Sequence, residues 1–378
     1  MNPFEDAIDL TRRLLRFDTT NPPGNEQPCA EFLAGLLAQA GFTTTLHQLS
    51  PGRASLVAYL GNGQGRPLCF TGHLDTVPLG KAPWSHDPFA GEIHDGRLYG
   101  RGSSDMKAGI AAFITAALQE RSLIADGPGV VLVLTASEET GCQGAAALLR
   151  DGVDQHRAGA IIVGEMTANY PLIGHKGALW LKLGARGKSA HGSMPERGDN
   201  ALYKAARALT TLEHYQVPAP RHPVLGNTSI SAGTLHAGSS INVVPDLAEL
   251  CVDIRSLPGM SHDDTRDTLL AALQPDICEA QAVLDLPAVY TDSSDPWIAA
   301  VYRITEEETG IRPEPRGASY FTDACALQHA HPGVPIVILG PGTPEMAHQT
   351  DEYCEIAHID EALRLYRRLI RDWSAHLN

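Results

Sequence analysis

The sequence predicts an α/β protein with a mostly parallel sheet, interrupted by an inserted α+β module. Three observations carry this reading. Short apolar runs alternate with helical stretches up to Lys176, the pattern then changes to half-exposed alternating strands, and the first pattern resumes near residue 288. The expected domains are residues 1–176 plus 288–378, with 177–287 inserted between them. A chain of 378 residues is long enough for two cores.

An opening helix is expected around Phe4–Arg16. The segment Glu26–Ala40 places Cys29, Phe32, Leu33, Leu36 and Leu37 on one helical stripe suited to packing on a sheet. Apolar runs at Ser55–Leu60, Leu68–Thr71, Gly129–Thr135 and Ala160–Gly164 read as strands, and Lys107–Arg121 and Gln143–Arg150 as helices. Gly61-Asn62-Gly63-Gln64-Gly65 reads as a turn between strands, because no helix follows it as a phosphate loop requires. In the insertion, strands are expected from Ala178, over Thr228–Leu235 and Leu247–Ser256, and near Ala282–Leu286; helices are expected at Asn200–Glu213 and Asp263–Leu273. A helix near Trp297–Glu308, a buried run Val334–Leu339 and a closing helix Ile359–Ala375 complete the first domain.

With 43% hydrophobic residues the composition is that of an ordinary globular protein. A formal charge of −15 argues against nucleic acid or an anionic membrane surface as partner and leaves small molecules as the expected ligands. The seven cysteines are scattered and include no C-x-x-C pair, so neither a disulfide framework nor a thiolate zinc site is indicated, and a reducing cytoplasm is the expected compartment. The first residues lack a basic stretch followed by an apolar one, and no window approaches the ~18 apolar residues of a membrane span. The chain also lacks an H-E-x-x-H helix, a G-x-S-x-G elbow and the Gly-rich strand-to-helix turn of a nucleotide-binding enzyme.

The most informative feature is the pair Glu138-Glu139, which ends the run Val130–Ser137. An isolated acid pair after an apolar run is ordinarily a solvated loop. Here it has company. His73 ends another run in Gly72-His73-Leu74-Asp75, where a nearby carboxylate is well spaced to take the other imidazole N–H of a metal-bound histidine. Asp105 sits where a Gly/Ser loop enters a helix, Glu165 ends a third run, and His348 follows the last one. Strands ending at His73, Glu138/Glu139 and Glu165 share one edge of a parallel sheet, where such folds build their sites. Two imidazoles, two private carboxylates and one bridging Asp105 supply two metal ions, a set that suits zinc. Glu138 is left unligated, able to take a proton from an attacking water and pass it to a leaving amine.

These motifs resemble those of the M20 metallopeptidases, the group that includes acetylornithine deacetylase, succinyl-diaminopimelate desuccinylase, aminoacylase and carboxypeptidase G. The match runs in order from Gly72-His73-Leu74-Asp75 through Ser104-Asp105-Met106-Lys107, Ser137-Glu138-Glu139 and Gly164-Glu165 to His348-Gln349-Thr350-Asp351-Glu352. The resemblance implies that His73 and Glu165 bind one zinc, that Glu139 and His348 bind the other, and that Asp105 bridges them. It further implies that Asp75 orients His73 and that Glu138 is the general base. Cobalt or manganese are possible replacements for zinc.

The resemblance also implies a cis Asp105-Met106 peptide and an inserted lid domain through which the chain forms a homodimer. In that lid, Ser189-Ala190-His191-Gly192-Ser193 resembles the segment whose histidine stabilises the oxyanion in the partner's site. Asn242 and Arg255 resemble substrate contacts, Arg255 being able to grip an α-carboxylate bidentately. Gly317 and Ser319–Asp323 resemble a substrate-facing loop. The expected activity is hydrolysis of the amide of a small N-acyl amino acid, acetylornithine-like first, with desuccinylase or dipeptidase activity as alternatives. A metal-binding member without catalysis is the contrasting class.

Overall fold

The computed structural model describes residues 6–152, 158–330 and 333–375. Two compact units emerge: residues 1–174, 290–316 and 322–378 form the first, and 175–289 with 317–321 the second. The segment Gly317–Phe321 therefore goes with the inserted unit, which a reading of contiguous sequence patterns does not anticipate.

The first unit is built on a six-stranded sheet. Its strands are β1 (Thr43–Ser50), β2 (Arg53–Leu60), β3 (Leu68–His73), β6 (Val130–Thr135), β7 (Ala160–Val163) and β8 (Ile336–Ile338), in the order β1-β2-β6-β3-β7-β8. The contacts β6–β3, β3–β7 and β7–β8 are parallel, whereas β1 and β2 join as an antiparallel edge. β3, β6 and β7 are buried along their whole lengths, as central strands covered on both faces must be. A smaller antiparallel sheet combines β4 (Glu92–His94), β5 (Arg97–Tyr99) and β9 (Tyr353–Glu355). Neither this sheet nor β1 was expected from the sequence. β1 is exposed or half-buried at every position, and β4 is equally open, so neither carries an apolar pattern.

The helix Ala108–Gln119 is buried at every residue except Gln119, which is why its sequence is apolar all round rather than striped. It packs against the helices Ala7–Leu15 and Ile356–Ala375. The latter is strongly amphipathic, with Ile359, Ala362, Leu365, Tyr366, Leu369 and Ile370 buried. The expected start of the first helix at Phe4 lies outside the described residues. Where the helix Ala108–Gln119 begins, Gly109 lies against the carbonyl oxygen of Gly164, and a Cβ at 109 would collide with it. This close approach seats the helix on the end of β7, immediately before Glu165.

The second unit has a four-stranded antiparallel sheet in the order Ser229–Ala237, Leu247–Ser256, Gly177–Arg186, Glu279–Leu286. Alternate residues Leu179, Leu181, Leu183 and Ala185 join Ala248, Leu250, Val252 and Ile254 in a core covered by the helices Ala201–His214 and His262–Leu273. Asn200 and Ser261 cap those helices through side-chain oxygens that accept the first free N–H groups.

Among the described residues, no helix is long and apolar enough to cross a membrane. All seven cysteines are unbridged.

The core of the first unit makes a direct prediction. Phe70 of β3 is fully buried, with its ring centroid 5.5 Å from Phe113 and 5.4 Å from Tyr366. Phe70→Ala is expected to cost about 3–5 kcal/mol through lost burial and the cavity left behind. Urea unfolding checks this, and a loss below about 1 kcal/mol would mean that the three rings are not a tight core.

Candidate metal centre

Parallel pairing places three chain exits at one sheet edge. His73 is the last residue of β3 and pairs in register with Thr135, the last residue of β6, while Thr71 of β3 pairs with Val163, the last of β7. Glu138 and Glu139 follow β6, and Glu165 follows β7, so their backbones leave the sheet beside His73. The turn after β6 is bent by Ser137, whose φ of 61° lies in the left-handed region. Its N–H donates to Glu26, which is itself held by a two-pronged contact from Arg53.

Asp105 and His348 come from segments outside the sheet. Asp105 lies in the turn Ser103–Lys107, and its peptide to Met106 is cis. His348 follows a short turn at Pro344–Met346. Glu352 ties the two together. Its buried carboxylate accepts hydrogen bonds from Arg101 Nη1 (2.7 Å) and from the backbone N–H groups of Gly102 (2.8 Å), Ser104 (2.7 Å) and Asp105 (3.0 Å).

His73 Nε2 lies 3.0 Å from Asp105 Oδ1 and 3.5 Å from Glu165 Oε1. His348 Nε2 lies 3.3 Å from Asp105 Oδ2 and 3.2 Å from Glu139 Oε2. The two oxygens of Asp105 thus face two different imidazoles, each accompanied by its own glutamate. Donor atoms ~2.0–2.1 Å from a tetrahedral zinc ion stand ~3.3–3.4 Å apart, and the four separations bracket that value. The other oxygens of the private carboxylates, Glu139 Oε1 and Glu165 Oε2, are buried without a hydrogen-bond partner among the described residues. Buried carboxylate oxygens left this way call for a cation. The residues present therefore fit a dinuclear metal centre.

The electrostatics agree. Burial pushes Glu138 well above the usual carboxylate range, and the charges of Asp323, Glu165 and Glu139 add to the effect against the pull of His73. Burial likewise raises Glu165 and Glu139, with Asp105 as a repelling neighbour of each. Asp105 moves the other way: burial opposes its charge, but hydrogen bonds with His348 and His73 hold its carboxyl well below the ordinary range. His348 is raised to about 10 by its hydrogen bonds to Asp105 and Glu139. Crowded acids that hold imidazoles positive mark a site built for positive charge.

Asp75 meets His73 through its main chain. The nearest acceptor for His73 Nδ1 is the Asp75 backbone carbonyl at 2.9 Å, with the Asp75 carboxylate 3.8 Å away. The carboxylate is used elsewhere: Oδ1 accepts from the N–H of Glu138 (3.0 Å), and Oδ2 from the N–H of Glu139 (3.3 Å) and from Asn21 Nδ2 (2.8 Å). Asp75 therefore fixes the backbone of the acid pair. Its spacing from His73 could not distinguish main-chain from side-chain contact. Glu138 is buried, and its Oε1 accepts from the Cys142 thiol at 3.7 Å.

The remaining candidates lie in the second unit. His191 and Asn242 are neighbours on two paired, exposed loops: His191 bridges to Val243, and the Gly192 N–H donates to the Asn242 carbonyl at 2.7 Å. His191 Nδ1 lies 2.7 Å from Ser193 Oγ. Arg255 is not a free guanidinium. Its Nε and Nη2 both donate to Asp253 Oδ2, at 3.1 and 2.9 Å, and it lies over the Phe321 ring. The alternation of Asp253-Ile254-Arg255 along one strand face carried this signal, since residues two apart project together. Gly317 begins the Gly317–Phe321 segment, in which Ala318 bridges to His175.

Glu352, Asn21 and Glu26 support the site without a role legible in the sequence. Glu352 stands in the quoted run after His348, but a buried acid bonded to backbone N–H groups leaves no pattern in sequence. Its role is testable. Glu352→Ala strands the Arg101 guanidinium and three backbone donors, and is expected to cost about 3–5 kcal/mol and to lower bound metal per chain. Thermal melts with elemental analysis check both, and unchanged metal content would remove Glu352 from the support of Asp105.

Comparison with known proteins agrees with this geometry. Residues 69–372 match the model of peptidase family M20/M25/M40. An acetylornithine deacetylase from Vibrio cholerae serotype O1 is 31% identical over a 380-residue alignment covering 97% of each chain. Among solved structures, an M20 family metallo-carboxypeptidase from Sulfolobus solfataricus aligns with a TM-score of 0.81 at 17% identity, covering 98% of this chain and 99% of that one. A dinuclear metal binding peptidase of the M20 family from Bacillus subtilis aligns with a TM-score of 0.73 at 16% identity, covering 98% and 99%. With its strand-end acids and histidines in the matched region, the chain belongs to peptidase family M20/M25/M40 and is a hydrolase of that family.

Proposed function

We propose that this chain is a dinuclear-zinc amidohydrolase that removes a small acyl group from an N-acylated amino acid, with acetylornithine-like substrates first. The observation that carries this reading is the Asp105 carboxylate, whose two oxygens face two imidazoles while the adjacent Glu138 is left out of the ligand set. His73 and Glu165 would hold one ion, Glu139 and His348 the other, with Asp105 between them. When bound, such ions polarise the scissile carbonyl and acidify the attacking water.

The protein's own residues handle the proton. Glu138 accepts it from the water onto its carboxylate and later delivers it to the nitrogen of the leaving amine. Burial tunes this group, since a carboxyl lifted toward the working pH both takes and returns a proton. Asp75 fixes the backbone of Glu138 and Glu139 by holding both N–H groups on one carboxylate.

The extended match to acetylornithine deacetylases supports the substrate class. His191 is the proposed donor to the tetrahedral oxyanion, supplied across a homodimer, with Asn242, Arg255 and Gly317 on the substrate side. Arg255 would exchange Asp253 for the substrate α-carboxylate. The exposed outer strand Ser229–Ala237 and the fully exposed Ile241 support a pairing edge in this unit.

A panel of N-acetyl, N-succinyl and dipeptide substrates, with amine release measured on the zinc-loaded protein, tests the reading. N-acetylornithine is expected to give the highest kcat/KM. Preferred turnover of the succinyl or dipeptide arm would reassign the substrate, and no turnover anywhere would indicate a non-catalytic member.

Glu138→Gln should lower kcat/KM by roughly 10²–10⁴ while bound metal stays unchanged. The base works only when ionised, and its pKa is raised. The parent's kcat/KM should therefore fall as pH drops through a value above the ordinary ~4.3 of a glutamate. An acid limb at or below that value would take the role away from Glu138.

A further inference from the structure

A second group of metal-type side chains lies outside the centre described above. Glu92 and His94 are alternate residues of β4 and project from the same face of it. Glu92 pairs in register with Tyr99 of β5, and the ring of His86 stacks on Tyr99 with centroids 4.0 Å apart and an interplanar angle of 27°. His86 Nδ1 lies 3.1 Å, and His94 Nε2 3.6 Å, from the same Glu92 Oε2, and each of the three residues offers a ligand atom within 4.8 Å of the other two.

From these contacts we infer that His86, Glu92 and His94 form a separate, solvent-facing site for a borderline divalent cation such as Zn²⁺. Two imidazoles and one carboxylate are a complete three-ligand zinc set, with the remaining positions left to water. The two nitrogen-to-oxygen spacings, 3.1 and 3.6 Å, bracket the ~3.3–3.4 Å expected between donors on one tetrahedral ion.

The arrangement is held from several directions. Tyr99 fixes the ring plane of His86, while the Asp351 carboxylate accepts the backbone N–H groups of Ser85 (2.8 Å) and His86 (3.4 Å). The β4–β5 pairing fixes the other two ligands. His86, Glu92 and His94 are 23%, 41% and 57% exposed at their side chains, so an ion reaches them without local opening. A solvated ion pair alone would need only one histidine on Glu92; here two imidazoles converge on one oxygen.

Asp351 stands three residues beyond His348, so an ion at this site would stiffen the loop that leads to the inner centre.

Zinc bound per chain after equilibrium dialysis against Zn²⁺, with the zinc-dependent shift in melting temperature, tests the inference. The parent chain is expected to bind one more equivalent than the His86→Ala/His94→Ala variant. Glu92→Gln, which leaves both rings and the Tyr99 stack in place, should also lose that equivalent and its share of the thermal shift. His73→Ala/His348→Ala should lose zinc from the inner centre and keep the outer equivalent, so failure of the catalytic reading is separable from failure of this one. Equal zinc content in the parent, His86→Ala/His94→Ala and Glu92→Gln proteins would overturn the site.

Discussion

The buried carboxylate of Glu352 holds together two segments that the sheet itself does not position. Through Arg101 and the N–H groups of Gly102, Ser104 and Asp105, it anchors the turn that carries Asp105 to the loop that carries His348. The pair Arg101–Glu352 is almost fully buried, where an ion pair persists only if its remaining donors and acceptors are used. The sheet aligns His73, Glu139 and Glu165, and Glu352 brings the other two ligand candidates to them.

The second constraint is electrostatic. Glu138, Glu139, Glu165 and Asp105 share a space from which water is largely excluded; burial, with the neighbouring acids adding to it, raises the three glutamates, while the two histidines hold Asp105 down. Division of labour follows from contacts. Glu139 and Glu165 each pair with an imidazole, whereas the Glu138 carboxylate accepts from a weakly polar thiol and meets His73 only through its charge. Asp323 extends the buried acid group behind them, bonded to Thr135 at the end of β6 and raised by burial to about 6. A cluster with this much unneutralised acid is stable around cations, which is the physical content of its match to a metallopeptidase family.

In the inserted unit, tertiary contacts change the meaning of residues that look available in sequence. Arg255 is engaged by Asp253 and lies over Phe321, so its affinity for any carboxylate is set by competition rather than by exposure. His191 and Asn242 are brought side by side by a single backbone bridge between loops about fifty residues apart. The cluster on β4 arises in the same way within the first unit: Glu92-Ile93-His94 is unremarkable as a string, and acquires chemistry when Tyr99 stacks His86 over it.

The sequence by itself determined the α/β layering, the apolar runs whose ends carry His73, Glu138, Glu139 and Glu165, and the identity of the candidate ligands. Burial on both faces leaves continuous apolar runs, and functional groups at strand ends interrupt them. Only the tertiary structure decided which atoms meet. The Asp75 carbonyl rather than its carboxylate faces His73, Glu352 braces Asp105, and Gly317–Phe321 joins the inserted unit. The open strands β1 and β4 were invisible for a related reason. Exposed pairing and long-range hydrogen bonds depend on partners distant in the chain, and no local pattern of residue types records them.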